Sequence, residues 1–145
     1  MVIFKELHRP PIWVLAFIYF LLLSLVIAIW AAFGAFLTIY AFVIATITII
    51  YTAFKMRSTI SINQGELRFD NAHIEVKYIG NIKVLDAPAM KLLRTRDADP
   101  SAFLAIKFWT PTGVKIELKD PRDPTPYWLI TSKRGEEIAA LLDNS

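Results

Sequence analysis

Two patterns divide the chain. From Ile12 to Phe54 no Asp, Glu, Lys, Arg or His interrupts an apolar run. After Arg57 apolar and polar residues alternate in short stretches and charge is plentiful. The first pattern is too long for one bilayer crossing of about 20 residues and about right for two. It also exceeds the apolar stretch of a signal peptide, about 7–15 residues. Gly34 is the one strong helix breaker in this block and lies near its midpoint. Helices are therefore expected at about Ile12–Phe33 and Ala35–Phe54, with Pro10-Pro11 starting the first.

The second pattern has period two. Ile60/Ile62, Leu67/Phe69, Ile74/Val76/Tyr78 and Ile82/Val84 each mark one face of a short strand. Gln64-Gly65, Asp70-Asn71 and Gly80-Asn81 are the expected turns. Ala87 to Arg96 breaks the alternation as a short helix, with Met90, Leu93 and Leu92 available to face inward. Three more strands are expected at roughly Ala102–Trp109, Gly113–Leu118 and Tyr127–Thr131. Pro111-Thr112-Gly113 is the expected hairpin turn between the first two. A final helix follows, with Ile138, Leu141 and Leu142 on its apolar face and Glu136 and Glu137 near its positive end. The expected fold is an α+β membrane protein. A two-helix transmembrane hairpin precedes a small seven-stranded antiparallel barrel or sandwich, closed by the C-terminal helix. The division is a short cytoplasmic segment at 1–11, the hairpin at 12–54 and a cytoplasmic β-rich domain at 55–145.

Charge adds topology. Lys5 and Arg9 precede the hairpin, Lys55 and Arg57 follow it, and the Gly34 turn has none. The positive-inside rule then places both termini in the cytoplasm, with the chain crossing the plasma membrane twice. The net charge of +3 is small, and no basic stripe points to nucleic acid. Cysteine is absent, which removes disulfides and thiolate-bound metals. His8 and His73 are the only imidazoles, a poor basis for catalysis or zinc, and His73 is expected to face solvent. The apolar block holds no charge to mark a transport path. Ala28/Ala32 and Ala41/Ala45 have the small-residue spacing of close helix packing. Packing within the hairpin is the simplest use, and docking on another membrane protein or a homo-oligomer is the alternative.

The order of strands and closing helix over about Thr59 to Leu142 resembles the pleckstrin-homology-like fold. A more specific likeness lies in GELRF (65–69), VLDA (84–87), DPSAFL (99–104) and DPRDPTPYWLITSKR (120–134). With these segments the chain resembles a family of small actinobacterial two-span membrane proteins of unknown function. That resemblance implies architecture and no activity. Gly135 departs from the proline that the family often carries at the start of its last helix.

Candidate chemistry concentrates near the C-terminus. Asp120 and Asp123 form a D-x-x-D pair, but paired carboxylates need a pocket and shifted pKa values to act as acid and base. Asp before Pro is first of all a turn former. Pro124-Thr125-Pro126 stiffens the segment and sets Tyr127 and Trp128 in strand register, so one of them should enter the core and the other lie on the surface or over the Pro-rich turn. Asp120, Arg122, Asp123, Thr125, Tyr127 and Trp128 therefore form the candidate interaction loop. Ser132, Lys133 and Arg134 could hold a phosphate at the final helix N-terminus, although no phosphate-loop motif occurs. Lys55, Arg57 and Arg68 are candidate anionic-lipid contacts. Lys91, Arg94 and Arg96 are offset by Asp97 and Asp99. No catalytic, metal or cofactor residues are expected. The expected function is a non-enzymatic module on the bilayer that binds a membrane or cytoplasmic protein or scaffolds a complex. The alternatives are an anionic-lipid or envelope-ligand module and an enzyme using Asp120 and Asp123.

Overall fold

The computed structural model describes residues 2–63 and 65–144, apart from the Val2 side chain. The chain separates into two compact units, one of residues 7–58 and one of residues up to Glu6 together with Thr59 onward.

The first unit is a helical hairpin. Helix α1 spans Ile12–Phe33 and α2 spans Ala35–Lys55, within a residue of the expected bounds. Gly34 makes the break. Its φ of 78° lies where a side chain is strained, and its N–H still closes α1 on the Trp30 carbonyl at 3.0 Å. Both helices are long and apolar enough to cross a membrane. Val14, Val26 and Ala45 are buried, while Phe17, Phe20, Ile27, Ile44 and Ile47 face outward. Ser24, Thr38, Thr46, Thr48 and Thr52 each donate to the carbonyl four residues back at 2.8–3.0 Å. These outward hydroxyls are thus bonded within their own helix.

The second unit holds two open four-stranded sheets rather than one seven-stranded barrel. The first sheet orders β1 (Val2–His8), β2 (Ser58–Asn63), β3 (Glu66–Phe69) and β4 (Ala72–Glu75) side by side. Strand β1 is the eighth strand. Its pattern is inverted, with Glu6 and His8 buried and Ile3 and Leu7 exposed, so alternation of hydrophobicity could not reveal it. Asp70-Asn71 turns the chain as expected. Asp70 accepts from the Thr59 N–H at 2.8 Å and has a φ of 51°. Gln64 lies outside the described residues. The strand expected through Tyr78 stops at Glu75, and Val76–Tyr78 form one 3-10 turn.

The second sheet orders β5 (Ile79–Leu85), β7 (Gly113–Leu118), β8 (Tyr127–Thr131) and β6 (Phe103–Ala105). Gly80-Asn81 lies inside β5 rather than in a turn, next to a register shift between Ile79 and Ile82. Strand β6 is shorter than expected and pairs parallel with β8, so Pro111-Thr112-Gly113 joins no hairpin. Thr131 Oγ1 accepts from the Lys107 N–H at 3.0 Å and donates to the Ala105 carbonyl at 3.3 Å, tying β6 to β8. The place beside β7 is taken by β5, opposite Gly113. A Cβ on Gly113 would meet the Ile130 carbonyl oxygen at 2.2 Å, so that close crossing requires glycine.

Helices α3 (Ala87–Arg94) and α4 (Gly135–Asp143) complete the unit. Met90 of α3 packs with Leu85, Tyr127 and Leu129 on one face of the second sheet. Trp128, Ile130, Val114 and Ile116 form the other face, with Ile138 and Leu142 of α4 and Ile60, Ile62 and Leu67 of the first sheet. Strand β8 is therefore buried along its whole length. Both Tyr127 and Trp128 lie in the core, correcting the expectation that only one of them would enter it. The unbroken YWLI run is the signature of a strand covered on both faces.

Candidate functional site

The register of the second sheet gives it two ends. Leu85, Gly113, Thr131 and Ala105 lie at one, and Ile79, Leu118, Tyr127 and Phe103 at the other. A six-residue strand separates them by about 20 Å. The candidate residues fall at opposite ends.

The segment Lys119–Pro126 joins β7 to β8 at the end marked by Leu118 and Tyr127. It is a run of side-chain-closed turns. Asp120 Oδ1 accepts from the Arg122 N–H at 2.9 Å, and Asp123 Oδ1 accepts from the Thr125 N–H at 2.9 Å. Each aspartate thus mimics a backbone turn. The Arg122 N–H and then its guanidinium, at 3.3 Å, hold the Asp120 carboxyl below its usual range. That carboxylate in turn raises Arg122. Arg122 Nη2 donates to the Tyr78 hydroxyl at 2.8 Å, and its guanidinium lies 5.3 Å from the centre of that ring. Lys77 approaches the same ring at 4.8 Å and pairs with Glu75 at 2.5 Å, which raises the lysine. The outward display is a cationic and aromatic surface of Arg122, Tyr78 and Lys77. Tyr78 and Lys77 were not expected there, because 44 residues separate Tyr78 from Arg122. Tyr127 and Trp128, in contrast, are only 7% and 6% exposed.

Ser132, Lys133 and Arg134 leave β8 at the opposite end, beside a cleft of about 470 Å³ lined also by Asp86, Thr112 and Glu137. An anion already occupies the start of this segment. The Glu6 carboxylate accepts from the Ser132 hydroxyl at 2.5 Å and from the Lys133 N–H at 3.1 Å. Ser132 Oγ also accepts from the Arg134 N–H at 2.9 Å. The Arg134 guanidinium makes a two-point pair with Glu137 at 2.6 and 2.7 Å and stacks over Phe4 at 4.6 Å. The groups that would grip a phosphate are thus turned toward carboxylates of the chain itself. The ammonium end of Lys133 stays on an exposed residue.

The candidate lipid contacts divide between the units. Lys55 ends α2, and Arg57 stacks over Phe54 at 4.5 Å. Arg68 stands on β3 and bonds to Glu66 at 2.9 Å. Among the described residues no three His, Asp or Glu side chains converge as a metal site.

The family described as "Protein of unknown function (DUF3093)" matches residues 3–142. No curated protein matches the chain, and no solved structure does.

Proposed function

The chain belongs to the DUF3093 family, and we propose that it is a membrane-anchored, non-enzymatic module that binds a partner protein or scaffolds a membrane complex. The hairpin spans the plasma membrane, and the β-rich unit stands on the cytoplasmic face. The observation that carries this reading is the order of the first sheet. Strand β1 precedes the hairpin, β2 follows it, and the two are neighbours. A bilayer cannot divide one sheet, so both ends of the hairpin belong on one face, and Lys5, Arg9, Lys55 and Arg57 favour the inner one. Two packed sheets with a closing helix are read as a variant of the pleckstrin-homology-like arrangement, within an actinobacterial two-span group.

Arg122, on the Tyr78 ring, is the centre of the partner surface. A rigid turn lowers the ordering cost of binding, and an exposed Arg against an aromatic ring makes an effective anchor. A photo-crosslinking residue at position 122 of the full chain, in native membranes, should capture one reproducible protein. The same residue at Lys91, on α3, should not. Equal capture at both positions, or none at 122 from well-expressed protein, overturns this reading. The anionic-lipid alternative rests on Lys55 and Arg57, exposed beside the end of α2. It requires binding of anionic headgroups that weakens with salt.

A further inference from the structure

Residues Lys107–Thr110 form a four-residue turn at the Thr131 end of the second sheet, closed by the Thr110 N–H on the Lys107 carbonyl at 3.1 Å. Its two tip residues are Phe108 and Trp109. Turn tips ordinarily carry Gly, Pro, Asn, Asp or Ser, which favour the backbone geometry. Phe-Trp contributes nothing of that kind, and the turn is held from outside. Arg94 Nη2 donates to the Thr110 carbonyl at 2.9 Å and to the Lys107 carbonyl at 3.5 Å. Thr131 Oγ1 fixes the Lys107 N–H at 3.0 Å. Phe108 is nevertheless 62% exposed, packed edge-on to Trp109 at 4.9 Å, and the Lys107 ammonium lies 5.9 Å from the indole.

The same end of the sheet is where the chain departs for the hairpin. Glu6, the last residue of the β-rich unit before α1, is bonded to Ser132 and Lys133, next to Thr131. Six residue steps separate Glu6 from Ile12, a reach of at most about 20 Å. We infer that Phe108 and Trp109, with Lys107, form an interfacial anchor that seats this end of the domain in the lipid headgroup region. An aromatic pair with an adjacent lysine matches that layer, where amphipathic rings and anionic phosphates meet. The inference rests on the membrane reading above. It adds a second attachment of the domain to the bilayer.

The chain has no cysteine, so single-cysteine variants of the full protein take one environment-sensitive dye each. Ile27→Cys on the outward face of α1, Phe108→Cys and Arg122→Cys would be reconstituted in vesicles of phosphatidylcholine and phosphatidylglycerol. Part of the lipid would carry a spin label. Circular dichroism would check each fold. Quenching and a blue shift at Ile27→Cys and Phe108→Cys, with neither at Arg122→Cys, is the expected result. Quenching at Ile27→Cys but not Phe108→Cys overturns the anchor and leaves the membrane reading standing. A Phe108→Cys dye untouched by lipid and shielded only in native membranes also overturns it, in favour of a protein contact. No quenching at Ile27→Cys removes the membrane reading itself.

Discussion

The turn at Lys107–Thr110 and the turn at Asp120–Pro126 leave opposite ends of one sheet and are built by opposite means. The second closes itself, through two aspartates that accept from N–H groups two residues on. Its two aspartates are explained by the turn they make. The first has tip residues that make no turn unaided, and Arg94 and Thr131 hold it instead. Its residues call for another explanation. The Asp-Pro segment carries charge, yet its carboxylates are occupied with backbone. The aromatic turn instead presents Phe108 at its tip, 62% exposed.

The largest test of this contrast concerns Trp128, between the two turns. It packs on Phe103 at 4.6 Å within the main core. Trp128→Ala should cost about 3–5 kcal/mol. A thermal melt of the full chain in detergent, followed by near-UV circular dichroism, measures it. An unchanged melt with lost partner capture would restore Trp128 as a surface anchor.

Glu6→Ala comes next. It leaves the Ser132 hydroxyl and the Lys133 N–H without their carboxylate, a loss of about 2 kcal/mol. Amide exchange at Lys133 should accelerate, while exchange at Thr125 should not. Arg94→Met is smaller. It keeps the packing volume but removes both donors to the aromatic turn, costing about 1 kcal/mol. Burial already lowers the Arg94 pKa. Faster exchange at Thr110, with Arg122 and Thr125 unaffected, would confirm that this turn is held from outside.

The smallest stability effect is expected for Arg122→Ala, whose side chain is 72% exposed. Its signature is electrostatic. Asp120 has a lowered pKa in the folded chain, so its contribution is present above the ordinary aspartate range and is lost as pH falls through the lowered value. Arg122→Ala removes the guanidinium but keeps the backbone N–H, and should move Asp120 part of the way back up. A carboxyl-carbon NMR titration reads this directly, and an unchanged titration would assign the shift to the backbone alone.

The hairpin was legible because bilayer-length apolar runs and a glycine break need no tertiary context. Strands with apolar residues facing one core were legible for the same reason, as in Ile60/Ile62 and Leu67/Phe69. Strand β1 was hidden because its inward residues are Phe4, Glu6 and His8, and Glu6 finds its partners Ser132 and Lys133 at the other end of the sequence. The parallel pairing of β6 was hidden because Thr131, more than twenty residues away, selects it. The double burial of β8 is present in YWLI, but an aromatic pair at a strand start equally fits a half-exposed strand. The Arg122–Tyr78 contact had no local sign at all.

One sheet built from both sides of the hairpin makes sidedness the central claim. Ala35→Cys beside the Gly34 turn, Arg122→Cys and Asn144→Cys can each be exposed to a membrane-impermeant maleimide in cells producing the full chain. Ala35→Cys should label in intact cells, and the other two only after permeabilisation. Labelling of Arg122→Cys or Asn144→Cys in intact cells would contradict the cytoplasmic placement. Labelling of Arg122→Cys and Asn144→Cys together with Ala35→Cys from the same side would contradict a spanning hairpin.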